Sequence, residues 1–275
     1  MRIRQIRAPA LVASAAVLLW FFKGPVAPAQ SRAANPSQDQ ELEIGQQVFE
    51  ELKAKGEIVE SSPLYDALHP VIDPILKVAQ PQYNHPFKFY IVHEAQPNAF
   101  ATPGGNIYVV DRLMTFVKNR EQLSGTLCHE VSHTIHHDSM NLLVKQQKIH
   151  RREIEAAILL GPTRAHLLAI FLLGQLHSLG YSRDDESRAD LTGSDICAAA
   201  GSNPWGLVWL FQEFKDARTK EIPQLLSDHP NDQNRIAALE RHFRDKPEVF
   251  RRFDSNPASA TPFTVPRNAP ESFLR

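Results

Sequence analysis

His129-Glu130-Val131-Ser132-His133 is the stretch on which the reading of this chain turns. On a helix, residues four apart lie on one face, so His129 and His133 present two imidazoles to one point. Glu130 sits one step round the helix, where its carboxylate reaches a water held at that point. Two neutral imidazoles and a carboxylate suit Zn2+, and the H-E-x-x-H pattern on a helix suits metal-assisted hydrolysis of a peptide bond. Five residues are a short pattern, and two helix histidines held by packing would look the same. Further ligands must decide.

A catalytic zinc takes three protein ligands and keeps one position open. A third His at the H-E-x-x-H-x-x-G-x-x-H spacing is excluded, because His136 and Ser139 stand at the Gly and His positions. The segment from Tyr181 to Asp190 offers the alternative. Ser182, with Asp185 three residues on, reads as a helix start of capping-box type. Glu186 and Asp190 then share a face of the new helix. Glu186 is the expected third ligand. Asp190 is the carboxylate expected to accept the N–H of a ligating histidine and so fix its tautomer. Asp184 and Asp185 read as charges favoured at a helix N-terminus.

With these residues in place, the chain resembles the HtpX-like and CAAX-prenyl-protease-like gluzincin metallopeptidases. His129-Glu130-x-x-His133, followed by Ser182-Arg183-x-x-Glu186-x-x-Ala189-Asp190, is similar to that family's paired motifs. The segment Asn98-Ala99-Phe100-Ala101-Thr102-Pro103-Gly104-Gly105-Asn106-Ile107-Tyr108-Val109 resembles the stretch ahead of its zinc helix. Gly201-Ser202-Asn203-Pro204 resembles its turn into a later helix, and Ser227-Asp228-His229-Pro230 with Arg235-Ile236 resembles its H-P…R-I segment. The likeness spans roughly residues 38 to 245.

This resemblance implies a zincin-like α+β fold, mostly helical, with a small β-sheet next to the zinc helix. It implies one Zn2+ per chain and an endopeptidase acting on polypeptide substrates. It implies that Asn98, Ala99, Phe100 and Ala101 form the substrate-binding edge, to which an extended peptide adds by backbone hydrogen bonds. For His229 it implies one of two roles, a donor to the developing oxyanion or a residue that reaches the zinc in a self-blocked resting state. The two exclude each other at any moment. Glu130 is the expected general base, taking a proton from the attacking water and handing it to the leaving amine. Arg183 and Arg235 either support the site or form structural ion pairs with helix acids. The rival reading is a zinc-bound, chaperone-like module with little turnover; a pure binder would not need Glu130.

Composition bounds the rest. With 275 residues, 43% of them hydrophobic, the chain can bury a sizeable core, and a formal charge of -1 leaves no basic footprint for nucleic acid. Residues 1–29 differ from the remainder of the chain: Arg2, Arg4 and Arg7 precede an uncharged, mostly apolar run from Ala8 to Phe22, and Ala27-Pro28-Ala29 offers a cleavage site. This reads as a signal peptide, or alternatively as an N-terminal anchor through residues 8–22, and predicts export to a periplasmic or extracellular setting. Cys128 and Cys197 read as free, small core residues in preference to a disulfide between two helices.

The resulting domain plan is a leader over 1–29, a linker over 30–37, the metallopeptidase domain over 38–250 and a Pro-rich, extended or disordered tail over 251–275. Amphipathic spacing predicts a helix over about 38–55, and another from Pro63 to about Ala79 that Pro70 and Pro74 kink or break. Alternation over Phe87–Val92 predicts a strand, and Ile107–Val110 a second one in a hairpin with the segment around Ala99. The zinc helix is expected over about 121–137. The apolar stretch over 154–180 is broken by Gly161-Pro162 and Arg164, and reads as a buried or lid-forming helix, with peripheral membrane contact the weaker alternative. Trp205, Val208, Trp209, Phe211 and Phe214 read as a core-facing stripe on a later helix, and a last helix is expected over about 232–243.

Overall fold

Strands β1 (Ile58–Val59), β2 (Lys88–Val92), β3 (Ala99–Thr102) and β4 (Asn106–Val110) form one mixed sheet in the order β1-β2-β4-β3. The computed structural model describes residues 38–149, 151–158, 161–176, 180–216, 229 and 233–266. The leader and linker expected over 1–37 lie outside these. Strands β2 and β4 run parallel, and β3 returns antiparallel along β4 across Pro103-Gly104-Gly105, the expected hairpin. Gly105 holds φ at 87°, and a Cβ there would meet the Pro86 carbonyl oxygen at 2.5 Å, so the turn requires glycine twice over.

All five residues of β4 are buried, because both faces of the sheet are covered. Ile107 and Val109 join Ile91, Ala99 and Ala101 in a core shared with α2 (Leu64–Ala79), α4 (Arg120–Ile135), α8 (Arg183–Ala199) and α9 (Trp205–Asp216). Tyr108 and Val110 join Val92 and Phe100 in a second core, closed by α1 (Gln38–Ala54), α5 (Asp138–Ile149) and α7 (Arg164–Leu176). The period-two alternation of the strands thus divides one chain into two cores. Short helices α3 (Asp111–Phe116), α6 (Arg151–Ile158) and α11 (Pro247–Phe250), with α10 (Gln233–Asp245), complete a mostly helical α+β fold. No helix among the described residues is long and apolar enough to cross a membrane.

Two expectations are corrected, and the readings of the 154–180 stretch and of the tail are refined. Helix α2 runs unbroken through Pro70 and Pro74. Both prolines face solvent, and the Pro70 carbonyl, which has no N–H from Pro74 to bind, accepts Arg120 Nη2 at 2.9 Å instead. Cys128 and Cys197 are joined in a disulfide, not free, because α4 and α8 bring their Cα atoms to 5.8 Å. The stretch over 154–180 is split between α6 and α7, and α7 packs Ala165, Leu168, Ala169, Leu172 and Leu173 into the second core. The tail is extended and docked through residue 266: Thr261 N donates to Glu121 Oε2, Arg120 N donates to the Thr261 carbonyl, and Phe263 and Val265 pack on the first core.

Candidate metal centre

Helix α4 starts where Asn119 Oδ1 accepts the Gln122 N–H at 2.8 Å, and it is buried on every side from Gln122 to Thr134. Its ligand face meets α8, which starts where Ser182 Oγ accepts the Asp185 N–H and donates to Asp185 Oδ2 at 2.6 Å. The two helices cross tightly at Gly193, where a Cβ would lie 2.9 Å from the Cys128 carbonyl oxygen and 3.0 Å from the His129 nitrogen. Glycine at this position lets Glu186 come within reach of the two imidazoles.

His129, His133, Glu186 and His229 each bring one ligand atom to a common point, all within 4.8 Å of one another and all buried. His129 Nε2 lies 3.0 Å from His133 Nε2 and 3.2 Å from His229 Nδ1. Glu186 Oε1 is 2.8 Å from His229 Nδ1 and 3.5 Å from His133 Nε2, and Glu186 Oε2 is 3.4 Å from His129 Nε2. Ring nitrogens facing each other at these distances cannot all be protonated; a shared cation satisfies them together. The far nitrogens point the same way. His129 Nδ1 lies 3.0 Å from Asp190 Oδ1 and His133 Nδ1 lies 2.8 Å from Asp138 Oδ2, which places both Nε2 lone pairs at the centre. Three imidazoles and one carboxylate are a donor set that fits zinc.

The buried carboxylates set the charge of the cluster. Burial pushes the Glu186 carboxyl up, but the His229 charge and hydrogen bonds from the three imidazoles outweigh it and hold it well below the usual carboxylate range. Burial pushes His133 down, yet its bonds to Asp138 and Glu186 reverse this and raise it to about 10. Asp190 is held low against its own burial, by the Arg235 charge first and then by hydrogen bonds from Arg235 and His129. The Glu130 carboxylate is fully buried beside the cluster, 3.4 Å from His229 Nε2.

The structure therefore brings together His129, His133, Glu186, Asp190, Glu130 and His229. Arg235 also belongs here, bonding Asp190 through Nε and Nη2, each at 2.7 Å, with Nη1 2.9 Å from Glu186 Oε2. Arg183 is exposed in the first turn of α8. Strand β3, with Ala99, Phe100 and Ala101 and with Asn98 just before it, packs beside α4 at the end of the sheet; the Phe100 ring faces the second core, stacked on Tyr108 at 4.9 Å. Sequence reasoning missed Asp138, its partner Arg188, and Tyr181, whose ring stacks on His133 at 4.1 Å.

An H-E-x-x-H helix completed by a carboxylate from a second helix defines a metal centre of the gluzincin type. The chain belongs to peptidase family M48, whose profile matches residues 65–242. It is 24% identical over 217 residues to the Beta-barrel assembly-enhancing protease of Yersinia pestis, covering 75% of this chain and 44% of that one. It is 23% identical over 252 residues to the Mitochondrial metalloendopeptidase OMA1 of Saccharomyces cerevisiae, covering 84% and 72% respectively. The Metalloendopeptidase OMA1, mitochondrial, of Bos taurus is 28% identical over 167 residues, covering 55% of this chain and 31% of that one. The matched region spans less than half the length of the Beta-barrel assembly-enhancing proteases.

Proposed function

We propose that this chain is an exported zinc metalloendopeptidase that hydrolyses peptide bonds in unfolded or envelope polypeptides, with Glu130 as the general base. The observation that carries this reading is the meeting of His129, His133 and Glu186 from two helices with a buried, adjacent Glu130 carboxylate. When bound, zinc supplies the Lewis acidity that polarises a peptide carbonyl and makes water a nucleophile near neutral pH. The chain does the remainder. Asp190 and Asp138 hold the two imidazoles in one tautomer, Glu130 takes the proton of the attacking water and returns it to the leaving amine, and β3 offers an edge for the extended substrate.

His229 fits the blocking role better than the donor role. Its Nδ1 stands among the ligand atoms, 2.8 Å from Glu186 and 3.2 Å from His129, where it would fill the fourth position. The resting enzyme is then latched, and substrate must displace His229. Export is supported by the buried Cys128–Cys197 disulfide, a bond that persists in oxidising compartments, together with the leader pattern of residues 1–29. The names of the relatives, a Beta-barrel assembly-enhancing protease and a Mitochondrial metalloendopeptidase, support peptide-bond hydrolysis.

Hydrolysis of unfolded casein by purified protein tests the reading. Glu130→Gln should retain zinc and lose turnover by roughly 10^2 to 10^4-fold, the worth of a general base. Equal activity in both forms would end the assignment of Glu130. His229→Ala should retain zinc through the other three ligands and turn over faster than the parent; a slower variant would return His229 to the oxyanion role.

A further inference from the structure

The peptide edge of β3 is not bare. Val110 N donates to the Asn98 carbonyl at 2.9 Å, and the register pairs Ala99 with Val109, Phe100 with Tyr108 and Ala101 with Ile107. Hydrogen-bonded pairs alternate along an antiparallel ladder, so the N–H and C=O groups of Ala99 and Ala101 turn away from β4, towards the side of β3 where no further strand pairs among the described residues. Two of these outward groups already have partners from the chain itself. Asn98 Oδ1 accepts the Ala99 N–H at 2.9 Å, and Ser139 Oγ donates to the Ala101 carbonyl at 3.0 Å.

The Ser139 contact continues inward. Its hydroxyl carries one proton, already given to Ala101, so in the 2.7 Å contact with Tyr181 Oη the tyrosine is the donor. Tyr181 is buried, its ring lies nearly parallel to that of His133 with centroids 4.1 Å apart, and it directly precedes Ser182, the cap of the helix that carries Glu186. A continuous path thus runs from a main-chain acceptor on the sheet edge, through two hydroxyls, to the ring face of a metal ligand. Buried hydroxyls need partners in any core. What separates this pair from ordinary packing is where its two ends lie.

We infer that Tyr181 and Ser139 are positioning residues for extended peptide substrates: they hold the Ala101 end of β3 at a fixed height over the ligand cluster, so that an added peptide strand presents its scissile bond there. The inference rests on the peptidase reading and adds to it a route by which the zinc helix and the substrate edge are kept in register. Neither hydroxyl touches the reacting atoms.

The test uses the full, zinc-loaded chain and an internally quenched, extended octapeptide. Ser139→Ala and Tyr181→Phe, which keeps the stacked ring, should each lower kcat/KM about tenfold, the worth of one hydrogen bond. The loss should sit in KM, since the strand binds main chain that ground state and transition state share. Zinc content should match the parent in both. The double variant should be no worse than either single one, because both changes cut the same path; independent effects would multiply to roughly a hundredfold. Ser139→Thr should recover most of the loss. Variants that match the parent, losses that multiply, or losses that track zinc content would each overturn the inference. A parent protein that cleaves neither casein nor the octapeptide would instead defeat the peptidase reading, an outcome distinct from an active parent with indifferent variants.

Discussion

The two imidazoles of the zinc helix are supported by the same chemistry assembled in two different ways. Behind His129 stands Asp190, and behind Asp190 stands Arg235, an imidazole–carboxylate–guanidinium series drawn from α4, α8 and α10. Behind His133 stands Asp138, and behind Asp138 stands Arg188. The first series is sealed: the Arg235 side chain is 5% exposed and its guanidinium lies over the Phe211 ring at 4.5 Å. The second is wet at its outer end: Asp138 is buried just past the end of the zinc helix, but the Arg188 side chain is 41% exposed and shared with Asp185 at 2.7 Å. Both halves therefore close through α8, but the carboxylate of the first comes from α8 itself, while that of the second comes from the chain reversal just past the zinc helix.

Mutations that remove the same atoms from each half should break this symmetry. Asp190→Ala should be the most damaging. It strips the His129 support and leaves Arg235 with Glu186 alone, so the loss should approach about 3 kcal/mol, as for a broken buried ion pair, with zinc affinity falling roughly 10 to 100-fold. Denaturant melts and chelator competition measure the two effects. Acid should act on the same bond. Asp190 is held below its ordinary value, so its contribution is present above about pH 4 and is lost as the pH falls through that depressed pKa. Asp138→Ala should cost a similar 10 to 100-fold in zinc affinity but clearly less stability, since the Arg188 charge freed by it reaches water. Equal destabilisation by the two variants would erase the distinction drawn between sealed and wet support. Arg188→Ala should be mildest, about 1 kcal/mol or less in the same melts.

These two halves are not equally legible in the sequence. Glu186 and Asp190 are readable because a helix repeats: once Ser182 marks its start, residues four apart must share a face. The same rule yields His129 and His133. Asp138 obeys no such rule. The chain leaves α4 through His137 at φ 56° and begins α5 at once, and that reversal turns Asp138 back towards His133. A spacing of five after the second histidine carries no periodic signal. Arg188 and Tyr181 are hidden for the same reason, since each acts across elements whose separation only the fold sets. The disulfide escapes a reading by residue type because a shared helix crossing is invisible until α4 and α8 are seen side by side. The sheet is readable at β2, β3 and β4, where alternation and the Pro-Gly-Gly turn agree, while the solvent-facing prolines of α2 point to a break that the packing of Leu68, Val71, Ile72 and Ile75 overrides.

The Cys128–Cys197 bridge spans 69 residues and ties together the two points where the chain enters and leaves the intervening helices. By loop closure alone such a ring is worth about 4 kcal/mol against the unfolded chain. Its geometric consequence is larger than its energy. The histidine pair lies just after one knot and Glu186 and Asp190 shortly before the other, so the stretch between them, α6 and α7 above all, is an excursion hung from a fixed frame. The helix α7 of that excursion answers to the second core, while the ion's ligands stay with the frame.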